Sequence, residues 1–223
     1  MVGTHRTRDA LLFASTYAFP AVMFPFLAWR FAADGGWAFA LVTLGVPLVF
    51  GYVMPLLGVS GLRRWRFASG PRVGGIYVHH GFIYASKLAF VLWLGLLVAP
   101  GSLGEAAAVV LLCAGSVAFG GWWHDVHAVR AGRIVLPDAD GANPDAAVTR
   151  FAPVFWTLGA TYAAFGLVAH RLLVVHARAD AWPWLFLGGL AALGVATALA
   201  FLGLAPRLAA SGSPVPADTE VTD

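Results

Sequence analysis

Four imidazoles and one carboxylate are spaced so that a helical hairpin would gather them. His79 and His80 open one apolar stretch (IYVHHGFIYASKLAFVLWLGLLVA), and His124, Asp125 and His127 close the next (VAFGGWWHDVH). Neutral imidazole ligates transition metals and haem iron, and it exchanges protons near neutral pH. The residue types and their spacing therefore predict a metal or haem site, or a proton-handling polar site. In the metal form, His79, His80, His124 and His127 are the expected ligands. In the haem form, His80 and His127 are the expected axial pair, with His79 and His124 as competitors. Asp125 is the expected extra ligand or general base.

Helical periodicity refines this picture. His124 and His127 are three apart and share a face, while Asp125 points about 100° away, towards the headgroups. His80, Tyr84 and Lys87 fall on one stripe, with His79 offset. Lys87 is the chain's single lysine, and a charge that deep in an apolar stretch is costly in hydrocarbon. Lys87, Tyr84 and Asp125 are therefore the expected catalytic groups of a proton path. Gly74, Gly75, Gly81, Gly120 and Gly121 accompany the histidines. They leave room for a porphyrin or for close helix packing. Arg63 and Arg64, with Arg66 and Arg72, lie beside the cluster. They are expected to pair with haem propionates or lipid phosphates. The expected cofactor is thus haem b or a single transition metal.

The elements that must position these groups follow from composition. The chain has 223 residues, 60% hydrophobic and 11% charged, against about 25% charged in ordinary soluble domains. That deficit predicts an all-α polytopic membrane bundle. With about 20 apolar residues needed per crossing, six spans are expected, at 10–30, 37–58, 75–99, 104–127, 151–175 and 182–205. They would form a single domain over 1–206, followed by a disordered cytoplasmic tail over 207–223. The basic start MVGTHRTRDALLF runs into a full-length span, so it is expected to stay as the first helix rather than be cleaved. Pro100-Gly101-Ser102 makes spans three and four a tight antiparallel hairpin, which puts both histidine pairs on one side. Pro20, Pro25, Pro47 and Pro55 should kink the first two spans, with neighbouring helices satisfying the freed carbonyls. With the N-terminus inside, inner segments hold ten arginines and outer segments three. The expectation is a multi-pass cell-membrane protein with both ends and the histidine cluster inside.

Several classes are excluded. The net charge of +3 comes from loop arginines and does not call for a nucleic-acid partner. Cys113 is alone, so there is no internal disulfide, Cys-x-x-Cys pair or thiolate metal site. Gly58-Val59-Ser60-Gly61 and Trp29-Arg30 are similar to elements of the rhomboid proteases. However, the serine closes the second span here and the sixth span carries no histidine, so that chemistry is rejected. Three functions stay open. The first is a haem protein passing electrons between a membrane quinone and a partner. The second is a metal-dependent enzyme acting on a membrane lipid or isoprenoid. The third is a transporter or accessory subunit whose arginine-rich loops dock a membrane-complex partner.

Overall fold

A computed structural model describes residues 2–61, 65–68, 71–73, 75–136 and 144–209. Arg63, Arg64 and Gly74 lie outside the described residues, as does the tail from 210 onward. The described chain is mostly helical. Helices α1 (Val2–Phe13) and α2 (Phe19–Pro55) are joined by a π-helical turn, Ala14–Ala18, and a second π turn, Leu56–Gly61, follows. Three short strands come next, β1 (Arg66–Phe67), β2 (Arg72–Val73) and β3 (Ile76–Tyr77). Then come α3 (His80–Leu96), α4 (Leu103–Arg130), β4 (Ile134–Val135), α5 (Pro144–Thr149), α6 (Ala152–His170) and α7 (Trp182–Ala209). Strand β1 pairs antiparallel with β4, and β2 with β3.

Four helical stretches are long and apolar enough to cross a membrane: Asp9–Val59, Leu103–Arg130, Asp145–Val175 and Ala179–Leu204. Helix α3 is a shorter apolar helix. The first stretch is not one straight rod. Gly35 and Gly36 leave helical geometry, and Gly36 adopts φ 72°, a left-handed value that glycine tolerates without strain. The rings of Phe31 and Phe39 lie 5.3 Å apart. Eight residues of continuous helix would separate them by about 12 Å along the axis, so the chain folds back at the two glycines. A Cβ on Gly35 would come within 2.4 Å of Val174 Cγ2, which shows how closely this turn packs against the π turn Arg171–Val175 after α6.

Prolines and glycines set the remaining packing. Pro47 has no N–H, so the Thr43 carbonyl one turn back loses its helical donor. The Tyr162 hydroxyl on α6 donates to that carbonyl at 2.6 Å. Here a neighbouring helix satisfies a freed carbonyl as the prolines led one to expect. Gly51 on α2 and Gly81 on α3 meet face to face: a Cβ on Gly51 would lie 2.9 Å from the Gly81 Cα, and one on Gly81 would lie 2.6 Å from the Leu48 carbonyl oxygen. Gly81 therefore serves helix contact. At the α3–α4 turn, Ser102 and Glu105 form a reciprocal capping box. Near that turn the Cys113 thiol on α4 approaches the Val91 carbonyl on α3 at 3.6 Å. The tight hairpin is therefore present, and it leaves the α3 start and the α4 end at the opposite pole.

Candidate functional site

At that pole the helices splay around a cavity of about 320 Å³. One wall comes from the α1 end and its π turn, α3 and α4; it carries the polar groups His79, His80, Tyr84, Lys87, His124 and Asp125. The lining residues from α2, α6 and α7 are apolar, among them Met54, Pro55, Phe155, Leu158 and Phe201. The loop residues Trp65, Phe67, Tyr77 and Arg133 also line the cavity. The six polar-wall side chains are half-buried, and each faces the cavity.

The best-defined feature is a hydrogen-bonded chain across three elements. Lys87 Nζ donates to Ser15 Oγ at 2.9 Å. Ser15 Oγ lies 3.3 Å from His124 Nδ1, and the serine hydroxyl donates when the imidazole carries its proton on Nε2. Ser15 reaches both partners from the π turn Ala14–Ala18; such single-turn bulges often occur at functional sites because they re-aim one side chain. Asp125 acts electrostatically on Lys87 without forming an ion pair with it among the described residues.

The stripe of His80, Tyr84 and Lys87 faces the cavity as the periodicity implies, and the His80 and Tyr84 rings are 5.1 Å apart. His79 precedes the helix as its N-terminal cap residue, with φ −97° and ψ 4°. Its ring lies between Tyr17 at 4.6 Å and Tyr77 at 5.2 Å. His79 Nε2 and His80 Nδ1 are buried and have no hydrogen-bond partner.

Helix α4 departs from the expected arrangement at its end. His124 and Asp125 both line the cavity, whereas His127 does not. His127 packs on Trp123 with ring centroids 4.5 Å apart and bonds to the Trp123 carbonyl through Nδ1 at 2.8 Å. A carbonyl only accepts, so Nδ1 carries the proton. The helix continues to Arg130, so Asp125 sits more than a turn inside it. Among the described residues, no group of three or more His, Cys, Asp or Glu side chains converges in a metal-binding arrangement. Of the glycines expected to leave space, Gly120 and Gly121 line the cavity. A Cβ on Gly120 would meet nothing within 4 Å, while one on Gly121 would press on Phe155 at 2.8 Å.

Ser15 and Arg133 were not singled out by spacing. Ser15 is one small polar residue in an apolar run, and only the π turn aims it inward. Arg133 had a local signal. Gly132, with φ 68°, follows the last turn of α4. The Arg133 N–H donates to the Ala128 carbonyl at 2.8 Å and the Gly132 N–H to the Val129 carbonyl at 2.9 Å. These two bonds make a Schellman cap, which turns the chain out of α4 into β4. The Arg133 carbonyl then accepts from Ala68 N–H at 2.9 Å and from Tyr77 Oη–H at 3.2 Å. The chain matches no family model, no curated protein and no solved structure at a significant level.

Proposed function

We propose that this is a multi-pass cell-membrane protein of six spans, with both ends inside, that takes a lipid-soluble molecule into the cavity and exchanges protons with its polar end. The carrying observation is that Lys87 and His124, bridged by Ser15, line a cavity to which α2, α6 and α7 contribute only apolar side chains. An apolar pocket with a few convergent polar groups is the usual form of a small-ligand site, and about 320 Å³ suits a ring or a short stretch of chain. Membrane lipid and quinone are the ligand classes available at this depth. Lys87, His124 and Asp125 are the proton-exchanging groups, Ser15 links the first two, and Tyr84 borders them.

The test is organic extraction and mass spectrometry of the detergent-purified protein. A lipid-soluble compound should co-purify near stoichiometry with the native chain. It should be lost in Gly120→Trp, where the added indole enters the open space beside Gly120. Equal recovery from both proteins, with both monodisperse by gel filtration, refutes the proposal.

A second reading, haem b or a single transition metal in the same cavity, is favoured by one observation: the buried His80 Nδ1 has no partner. His80 and His124 would be the ligands on the wall, with Asp125 nearby. His127 retains a free Nε2 but lies off the wall. A Soret band or stoichiometric metal in the purified protein, lost in His80→Ala, supports this reading; neither signal after haem or metal supplementation removes it.

A further inference from the structure

We infer that the cavity ligand carries an oxyanion head, phosphate or carboxylate, on an apolar tail, and that Arg133, which lines the cavity just beyond the end of α4, recognises that head. This rests on the proposal that the cavity holds a lipid-soluble molecule, and it narrows the chemical class.

The argument begins with the charges facing the cavity. Two side chains bring positive charge, Lys87 and Arg133, and one brings negative charge, Asp125. Lys87 is already provided for: it donates to Ser15 and is attracted by Asp125. Seven residues of helix from His80 place it about 10 Å below the start of α3. Arg133 has no carboxylate partner among the described residues, and it acts electrostatically on His124 from the same side. A half-buried guanidinium beside an imidazole, with no carboxylate partner among the described residues, is a site for an anion. Its planar fork of N–H donors matches the paired oxygens of phosphate or carboxylate.

The geometry of the loop supports a fixed rather than a wandering arginine. The Schellman cap on α4, the pairing of β4 with β1 and the two bonds to the Arg133 carbonyl all hold its backbone in place. The floor below then decides what the anion is attached to. Met54, Pro55, Phe155, Leu158 and Phe201 offer only hydrocarbon contact from α2, α6 and α7, so the part of the ligand that lies against them is apolar.

The test uses the full chain in phosphatidylcholine nanodiscs. The probes are dodecyl phosphate, dodecanoate and dodecanol, each brominated at the far end of the tail. The signal is the tryptophan quenching that disappears in Trp65→Phe, since Trp65 lines the cavity. At least one oxyanion probe should bind about tenfold or more tighter than the alcohol, and which of the two does so names the head. In Arg133→Gln, whose backbone bonds are unchanged, the oxyanion should fall to the alcohol's affinity while the alcohol keeps its own. Arg133→Lys should recover part of the difference. Equal binding of all three probes to the native chain overturns the inference and leaves the cavity proposal standing. So does a preference for oxyanions that survives Arg133→Gln. No Trp65-dependent quenching by any probe overturns both.

Discussion

Pro47 removes one hydrogen bond from α2, and Tyr162 restores it from another helix. The Tyr162 side chain is 2% exposed, so its hydroxyl has no solvent to turn to and neither does the Thr43 carbonyl. Tyr162→Phe should therefore lower stability by about 1–3 kcal/mol, the cost of a buried acceptor left unsatisfied. Pro47→Ala supplies an N–H to that carbonyl. In the Pro47→Ala background, Tyr162→Phe should cost clearly less, as read by unfolding in mixed micelles. Additivity of the two changes would sink this account. The same logic applies at Ser15. Ser15→Ala strands Lys87 Nζ and should cost about 1–3 kcal/mol. Lys87→Met removes the group that needs the acceptor, so the double variant Ser15→Ala, Lys87→Met should be more stable than Ser15→Ala alone. The cluster at this scale was partly legible in the sequence. The stripe of His80, Tyr84 and Lys87 follows from a period of 3.6 residues, and that period holds inside α3. Ser15 was not legible, because a π turn changes the angular step where it occurs and nothing in ASTYA announces one.

At the level of the helices, glycine decides which surfaces touch. The α2–α3 crossing has no space for a side chain at Gly81, where an added Cβ would meet the Leu48 carbonyl oxygen at 2.6 Å. Backbone cannot move aside as a side-chain tip can, so Gly81→Ala should cost about 1–3 kcal/mol through overpacking. Gly188 on α7 has nothing within 4 Å of an added Cβ, and Gly188→Ala should leave the unfolding midpoint unchanged or slightly higher. Equal losses at both positions would show that glycine loss itself, and not the crossing, is responsible. Element boundaries were the hardest feature to read. Apolarity begins at Ile76, yet Ile76–Tyr77 is a strand paired with Arg72–Val73 across Gly75, whose φ is 82°. β-Branched and aromatic residues satisfy a hydropathy window in either conformation, so the window cannot mark the change to helix at His80. At the far end of α4, apolarity fades at His127 while the helix runs to Arg130. Hydropathy follows the surroundings, whereas the cap at Gly132 ends the helix, so the helix outlasts the apolar stretch by nearly a turn.

At the scale of the whole molecule, the polar wall, the cavity and the loop residues Arg66 and Arg133 sit at one pole, and Trp29, Trp37 and the capped turn at Ser102 belong to the other. The alternation of apolar stretches made this division legible, because antiparallel neighbours joined by a short turn must return to the side they left. The fold-back at Gly35–Gly36 was legible as well, since a helix of 51 residues would run about 76 Å, far beyond a hydrocarbon layer of about 30 Å. The proposed orientation places the cavity pole inside, where the arginine excess lies. It can be checked with single cysteines after Cys113→Ser, a change that replaces the thiol donor to the Val91 carbonyl with a hydroxyl donor. Val73 is 74% exposed beside the cavity loops, and Gly101 is exposed in the α3–α4 turn. In intact cells a membrane-impermeant maleimide should label Gly101→Cys and spare Val73→Cys, which should react only after the membrane is opened. The reverse pattern would put the cavity mouth outside. Its ligand would then enter from the outer leaflet, and the arginine count would be reporting loop composition instead of topology.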